Sequence, residues 1–372
     1  MKNIAFFCPQ IYPCKTGGLE VFTYHLINNL FKEFNIILFT ECKEKINSQI
    51  KVKYVNSKLF LFKYSLFSSI SRLISLFYHL IKIKQKIDIF HIPHTNNATT
   101  YGLIFPVLKW IFKFEYIIVL HGGNTRRYKK TFLQKNFMRY AKEIIAVSEQ
   151  NKFEYEKLIG RKIISIPSLI PFNKASKRKN ELRLKYELPI NSKVIIMVGS
   201  IKPLKGNTTV IKAFCNLGIN YITKNNLNLV FAGTGPDLNT IEQEIKNTQF
   251  NNRIYFLGNI PNERLYEVYA LADIYVIASW FESLSITLLE AMYNELPIIA
   301  SNVSVLNSII TNNKDGLFFN VNSDSDMSIK LKLLLDDEVF AEKLGKNARR
   351  TYLERFSFQN VLDDYKKVYT SI

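Results

Sequence analysis

At 372 residues the chain is too long for one ordinary hydrophobic core and about right for two. A composition of 47% hydrophobic and 22% charged residues excludes wholesale disorder. The net charge of +19 is uneven: residues 1–190 hold 32 Lys and Arg against 12 Asp and Glu, whereas residues 191–372 hold 18 against 19. Uniform compositional drift would not spare the second half, so the imbalance points to a polyanionic partner for the first half, either an anionic lipid surface, a lipid-linked phosphate or a nucleic acid.

The first residues, MKNIAFFCPQIYP, lack a signal-type apolar core and cleavage site, and read as a buried strand. Region 59–86 is the most apolar, but Lys63, Arg72 and His79 interrupt it, so it falls short of the roughly 20 apolar residues of a membrane span. A cytoplasmic location follows, with Cys8, Cys14, Cys42 and Cys215 expected as reduced thiols. Neither a CxxC pair nor a Cys/His spacing implies a metal.

Short apolar runs alternate with helical stretches along the whole chain. NIAFFCP, NIILFT, IKVKYV, IDIFHIP, EYIIVLHG, EIIAVS and KIISIP fill the first half; KVIIMVGS, LNLVFAG, RIYFLG, IYVIAS and PIIAS follow in the second. Continuous apolar strands followed by helices mark parallel sheets covered on both faces. The predicted fold is α/β, two Rossmann-like doubly wound domains facing a cleft. The expected boundaries are an N-terminal domain over 1–172, a polar linker over 173–190, a second domain over 191–350, and a terminal helical segment over 351–372 that crosses back to the first domain.

Ligands of such sheets sit beyond the carboxyl ends of the strands, so the loops after them carry the chemistry. KTGGLE after the first strand offers Gly17 and Gly18, whose backbone a phosphate can approach. EYIIVLHG ends in His121, able to donate a hydrogen bond or take a proton; His91 and His94 also end a strand, as cleft-lining residues at most. After VIIMVGS, with Gly199 and Ser200 at its end, Lys205 stands beside Gly206 at the start of a helix, where ammonium, amides and dipole all favour an anion. Gly233 and Gly235 of GTGP allow close backbone packing.

SWFESLSITLLEAMYNELPIIAS is the most specific stretch. Glu282 lies in the loop after a strand, and Glu290 follows amid Leu288, Leu289, Ala291 and Met292 on an apolar helix. A carboxylate in such surroundings needs hydrogen-bond donors, and the vicinal hydroxyls of a ribose would supply two.

With these motifs the chain resembles a GT-B-fold glycosyltransferase of family GT4, a group of retaining sugar transferases; the likeness runs from KTGGLE to DGLFF. The resemblance implies that Glu282 lies by the donor sugar and diphosphate, that Glu290 binds ribose, and that the family's basic loop pair falls at Ser200 and Lys205. Only the lysine matches, Ser200 standing where an arginine is frequent, with Lys202 two residues on as a substitute cation. His121, Glu282 and Lys205 are thereby expected as catalytic. Gly17, Gly18, Gly199, Ser200, Lys205, Gly233, Gly235, Ser283, Leu284, Ser285, Ile286 and Glu290 are expected to bind the donor. The implied partner is a nucleoside-diphosphate sugar, with UDP or GDP as the carrier and no cofactor or metal. The acceptor is expected to be a saccharide or lipid-linked saccharide in bacterial surface polysaccharide synthesis.

Two other readings remain: a basic nucleic-acid- or membrane-binding protein on a non-catalytic scaffold, and a GT-B-fold sugar-nucleotide epimerase. A dehydrogenase is disfavoured because no strand is followed by GxGxxG. Nucleic acid is not expected, since no helix-turn-helix, zinc-finger or RNP pattern occurs. Regions 59–86 and 126–142 mix aromatic and aliphatic residues with bases, and Arg126, Arg127, Lys129 and Lys130 are expected on a surface resting against the inner face of an anionic membrane.

Overall fold

The computed structural model describes residues 1–15, 18–44, 46–55, 65–93, 98–121, 132–168, 171–282 and 284–372, with backbone alone at 65–69, 98–100, 102–103 and 132–135. The chain divides into two compact units, Met1–Pro171 with Phe358–Ile372, and Phe172–Ser357.

The first unit runs β1 (Asn3–Phe7), α1 (Gly18–Leu30), β2 (Asn35–Thr40), β3 (Lys51–Tyr54), α2 (Ser65–Lys82), β4 (Ile89–Pro93), α3 (Ala98–Phe112), β5 (Glu115–Leu120), α4 (Phe132–Tyr140), β6 (Glu143–Ala146), α5 (Glu149–Ile159) and β7 (Ile164–Ser165). Its seven strands lie in the order β3-β2-β1-β4-β5-β6-β7. Every pair is parallel. The central strands are apolar throughout because helices cover both faces, so no residue of β4 meets solvent.

The second unit runs α6 (Lys179–Lys185), β8 (Lys193–Val198), α7 (Asn207–Cys215), α8 (Ile219–Lys224), β9 (Leu227–Ala232), α9 (Leu238–Lys246), β10 (Ile254–Phe256), α10 (Leu265–Ala270), β11 (Ile274–Ile277), α11 (Ile286–Tyr293), β12 (Ile298–Ser301), α12 (Ser304–Ile309), β13 (Leu317–Phe319), α13 (Asp324–Asp336) and α14 (Glu338–Arg355). Its six strands are ordered β10-β9-β8-β11-β12-β13. They too pair only in parallel. Strand β13, not singled out in the sequence as a strand, is the short apolar LFF of the DGLFF motif.

The last helix, α15 (Phe358–Ser371), belongs to the first unit. Its Tyr365 and Tyr369 are fully buried, Tyr369 packing edge-on to Phe34. Lys2 donates to the free carbonyls of Tyr369 and Thr370 at the C-terminal end of this helix, where a cation is favoured.

Two expectations are corrected. The 173–190 linker holds only in part: these residues fall within the second unit, 173–178 being irregular and mostly exposed and 179–185 forming α6. Three of the charges that make this stretch read as linker are held by acids elsewhere in the unit, Arg183 and Lys179 by Asp273 and Lys185 by Glu267. Likewise Cys14 and Cys42 are not thiols but a disulfide, with Cα atoms 5.7 Å apart. Parallel pairing of Phe7 with Phe39 carries the loops after β1 and β2 to the same end of the sheet, a proximity that sequence spacing does not show. Cys8 and Cys215 remain free, and burial pushes the Cys8 thiol up to about 12. Among the described residues no helix is long and apolar enough to cross a membrane.

Candidate functional site

In each sheet the strand order reverses once, between β1 and β4 in the first unit and between β8 and β11 in the second. Loops on the two sides of such a switch point diverge and leave a crevice at the carboxyl ends of the strands. The loops after β8 and β11 are those that carry Lys205 and Glu282.

After β8 the chain passes Gly199 and Ser200, makes a single 3₁₀ turn over Pro203–Lys205, and enters α7 through Gly206 at φ 70°. A Cβ at Gly206 would lie 2.3 Å from the carbonyl oxygen of Ala278, so only glycine lets α7 begin against the end of β11. Trp280 N–H donates to the Leu204 carbonyl at 2.9 Å and ties the two loops together. Lys205 Nζ then donates to Glu282 Oε1 at 2.5 Å, and Ser279 Oγ donates to the same oxygen at 2.7 Å. Ser279 is held by its own carbonyl, which accepts from Ser301 Oγ at 2.6 Å. With the Lys205 side chain 24% exposed and that of Glu282 10%, the pair is shielded from bulk water yet open on one side.

Glu290 is the fifth residue of α11, whose N-cap is Ser285, its hydroxyl accepting from Leu288 N–H. That hydroxyl, expected to bind the donor, is thus engaged with the helix terminus. Leu284 and Ile286 flank it, both partly buried. Glu290 keeps some accessible surface, yet burial pushes its carboxyl up to about 7, against the opposing hydrogen bond from Tyr269, whose hydroxyl donates to Oε2 at 2.7 Å. Tyr275 of β11 reaches the same helix, its hydroxyl donating to Thr287 Oγ1 at 2.9 Å.

The glycines after β9 serve a close approach. A Cβ at Gly233 would sit 1.9 Å from the Gly199 carbonyl oxygen, and one at Gly235 would sit 2.0 Å from that of Ile201. The loops after β8 and β9 therefore run backbone to backbone, with Ile201 N–H donating to the Thr234 carbonyl at 3.0 Å. Gly233→Ala forces them apart and places alanine at φ 150°. The expected loss is about 2–4 kcal/mol of unfolding free energy, read from the urea midpoint; an unchanged midpoint would show that the loops separate freely.

In the first unit His121 follows β5, with Nδ1 at 3.0 Å from Ser168 Oγ and its ring against Phe22 at 5.6 Å. Gly18 is the first residue of α1, and Glu20 behind it is buried and ion-paired with Lys15 at 2.6 Å. His91 does not line a cleft: it is fully buried, stacked on Phe6, and bonded through Nδ1 to the Tyr369 hydroxyl at 2.6 Å. Burial, with His121 nearby, drives its pKa down to about 3, so it stays neutral. Gly17, His94, Arg126, Arg127, Lys129, Lys130 and Ser283 lie outside the described residues.

The structure brings together Lys205 and Glu282 across the switch point and adds Tyr269 and Ser279, which sequence reasoning missed. Ser279 had a weak signal, as the last residue of the strand run IYVIAS. Tyr269, in LYEVYA of α10, had none.

Residues 178–351 match the family model described as Glycosyl transferases group 1. N-acetyl-alpha-D-glucosaminyl L-malate synthase of Bacillus anthracis is 24% identical over 298 residues, covering 78% of this chain and 76% of that protein. A Campylobacter jejuni α-1,4-N-acetyl-D-galactosaminyltransferase, named for a diNAcBac-PP-undecaprenol-linked acceptor, is 23% identical over 384 residues, covering 100% of this chain and 99% of its own. Among solved structures, HepE of Anabaena in complex with UDP superposes with a TM-score of 0.80 at 15% identity over all of both chains. The fold is thus that of the two-domain GT-B glycosyltransferases, and the family match and the relatives' names support sugar transfer.

Proposed function

We propose that this chain is a GT4-type glycosyltransferase that moves a hexosyl group, with retention and without a metal, from a nucleoside-diphosphate sugar to an acceptor hydroxyl. The observation that carries this reading is the Lys205–Glu282 pair across the switch point of the second sheet, with Glu290 on the adjoining helix. Lys205 and the N-terminus of α7 stabilise the departing diphosphate, a charge that grows in the transition state and meets preorganised donors. That cation takes the place a divalent metal would fill. Glu290 accepts the two ribose hydroxyls, and Glu282 lies by the donor sugar. In the front-face route, the bond from the anomeric carbon to the phosphate oxygen breaks while the acceptor oxygen bonds the same face, its proton passing to the departing phosphate.

In this reading the first unit takes the acceptor, while its Gly18 is assigned to donor binding and its His121 to catalysis. UDP is the first carrier to test, because the neighbour HepE was solved with it, and GDP the second. The Campylobacter relative's lipid-linked acceptor supports a saccharide or lipid-linked saccharide acceptor here, in capsule, O-antigen or lipopolysaccharide synthesis at the cytoplasmic face of the membrane.

A thermal-shift screen of UDP-, GDP- and ADP-sugars tests the donor. At 100 times its dissociation constant the right one stabilises the protein by about 2.7 kcal/mol. Transfer with that donor is expected to survive EDTA. No shift with any nucleotide sugar overturns the donor site, and a strict need for Mn²⁺ or Mg²⁺ overturns the metal-free route alone.

A further inference from the structure

We propose that the Cys14–Cys42 bridge is a reversible thiol-exchange site, whose reduction loosens the loop after β1 and weakens donor binding. The effect on the donor rests on the reading above, in which Gly17 and Gly18 belong to the donor site. Cys14 stands four residues before Gly18, the first residue of α1, so the bridge pins the chain on its approach to that glycine pair.

The two sulfurs differ in access. Cys14 is exposed, whereas Cys42 is buried at 3%. A small thiolate therefore attacks Cys14 Sγ, and Cys42 is the leaving group. As the new S–S bond forms to Cys14, the bond to Cys42 breaks and Cys42 Sγ takes a proton. A second thiol then attacks the outer sulfur of this mixed disulfide, and Cys14 Sγ leaves and is protonated in turn. Two electrons pass from two small thiols to the bridge, and a small disulfide is released; that disulfide is the oxidant of the reverse reaction.

Exchange stays within this pair. Cys8, the nearest other cysteine in sequence, is buried, and its thiol donates to the Gln10 carbonyl at 3.0 Å. Burial, with the Glu20 carboxylate nearby, pushes that thiol up to about 12, so it supplies no thiolate to reshuffle the bridge. Cys215 lies in the other unit.

Reduction acts on one loop far more than on the other. The Cys42 side is anchored without the bridge: Cys42 N–H donates to Thr40 Oγ1 at 3.1 Å, and Glu41 N–H reaches the Pro9 carbonyl at 2.8 Å. Arg72 also grips the Glu41 carboxylate through two nitrogens, at 2.9 and 3.1 Å. On the Cys14 side, Lys15 N–H donates to the Ile11 carbonyl at 3.2 Å, a single turn. The Lys15–Glu20 ion pair adds little, because the lysine side chain is 53% exposed and screened by water. Where a disulfide forms in a thiol-rich compartment, such as the cytoplasm expected from the sequence, it is as a rule transient or redox-sensing. A pinned loop meets a diphosphate with less freedom left to lose, so the bridged form is the tighter binder.

The test uses the intact chain, reduced with dithiothreitol and reoxidised with oxidised glutathione. It reads thiol alkylation by mass spectrometry, amide hydrogen exchange and UDP affinity. Oxidised glutathione is expected to block Cys14 and Cys42 to alkylation, and dithiothreitol to free both without unfolding the protein. Exchange at residues 10–15 should quicken in the reduced form while β2 keeps its protection. UDP affinity should fall about three- to tenfold on reduction and return on reoxidation. Cys14→Ser with Cys42→Ser should bind UDP like the reduced chain and ignore both reagents, whereas Cys215→Ser should respond like the parent. A pair that stays reduced in oxidised glutathione, a bridge that dithiothreitol opens only on unfolding, equal exchange at residues 10–15, or equal UDP affinity in the two forms overturns the proposal. If neither form binds UDP, the donor reading fails, and exchange at residues 10–15 alone decides whether the bridge governs the loop.

Discussion

Lys205→Ala is expected to lower the rate of transfer by about 30- to 1,000-fold, the effect of losing about 2–4 kcal/mol of charge stabilisation that grows in the transition state. Lys205 faces Glu282 at 2.5 Å, so its removal has two consequences. A bound diphosphate loses a cation, and Glu282 is left with Ser279 as its hydrogen-bond donor among the contacts described. The two separate in a double-mutant cycle. If Lys205 served only to neutralise Glu282, adding Glu282→Gln to Lys205→Ala would restore most of the activity. If the ammonium reaches the diphosphate, the double variant stays as slow as the slower single one. Steady-state kinetics with saturating donor makes the distinction: a fall in kcat and kcat/KM together marks stabilisation of the transition state, whereas a rise in KM alone marks ground-state binding. Full activity of Lys205→Ala would remove this residue from the site.

The strands and the loops that follow them were legible because a parallel sheet buried on both faces demands unbroken apolar runs, and these stand out against polar helix surfaces. Lys205 and Glu282 were singled out separately. Their meeting depends on β8 and β11 being neighbours although β9 and β10 lie between them in sequence, a fact of strand order that local pattern does not carry. The same limit explains why α6 read as linker: its Arg183 and Lys185 are matched by Asp273 and Glu267 some 80–90 positions further along the chain. It also explains Tyr269, which reaches Glu290 from a helix that precedes β11. Region 59–86 showed only an apolar excess; that Leu73, Leu76 and Leu80 are the buried face of α2 is settled by packing.

Glu290→Gln is expected to do two opposite things: lower transfer by about 30- to 1,000-fold and make the unliganded protein more stable at alkaline pH. Glutamine keeps an oxygen for the Tyr269 hydroxyl, so the local packing survives. It cannot carry the charge that two ribose hydroxyls would meet. Burial raises the Glu290 carboxyl from 4.5 to about 7 in the folded protein. Below pH 4.5 both folded and unfolded chains hold the proton, and the group has no effect on stability. Between 4.5 and 7 the folded chain still holds it and the unfolded chain has lost it, so the free energy of unfolding falls as pH rises. Above pH 7 the full cost of the buried carboxylate is present, about 3 kcal/mol from the size of the displacement. Urea unfolding should therefore show Glu290→Gln equal to the parent near pH 4.5 and more stable by about 1–3 kcal/mol at pH 8. The same titration has a kinetic face. In the free enzyme kcat/KM should rise through pH 7 as Glu290 ionises, and this limb should vanish in Glu290→Gln. Donor binding at pH 6 should release a proton, since hydroxyl donors favour the ionised form, and calorimetry in buffers of different ionisation enthalpy counts it. An equally active variant would leave Glu290 a packing residue, and a variant no more stable at pH 8 would mean that the carboxyl titrates as if in water.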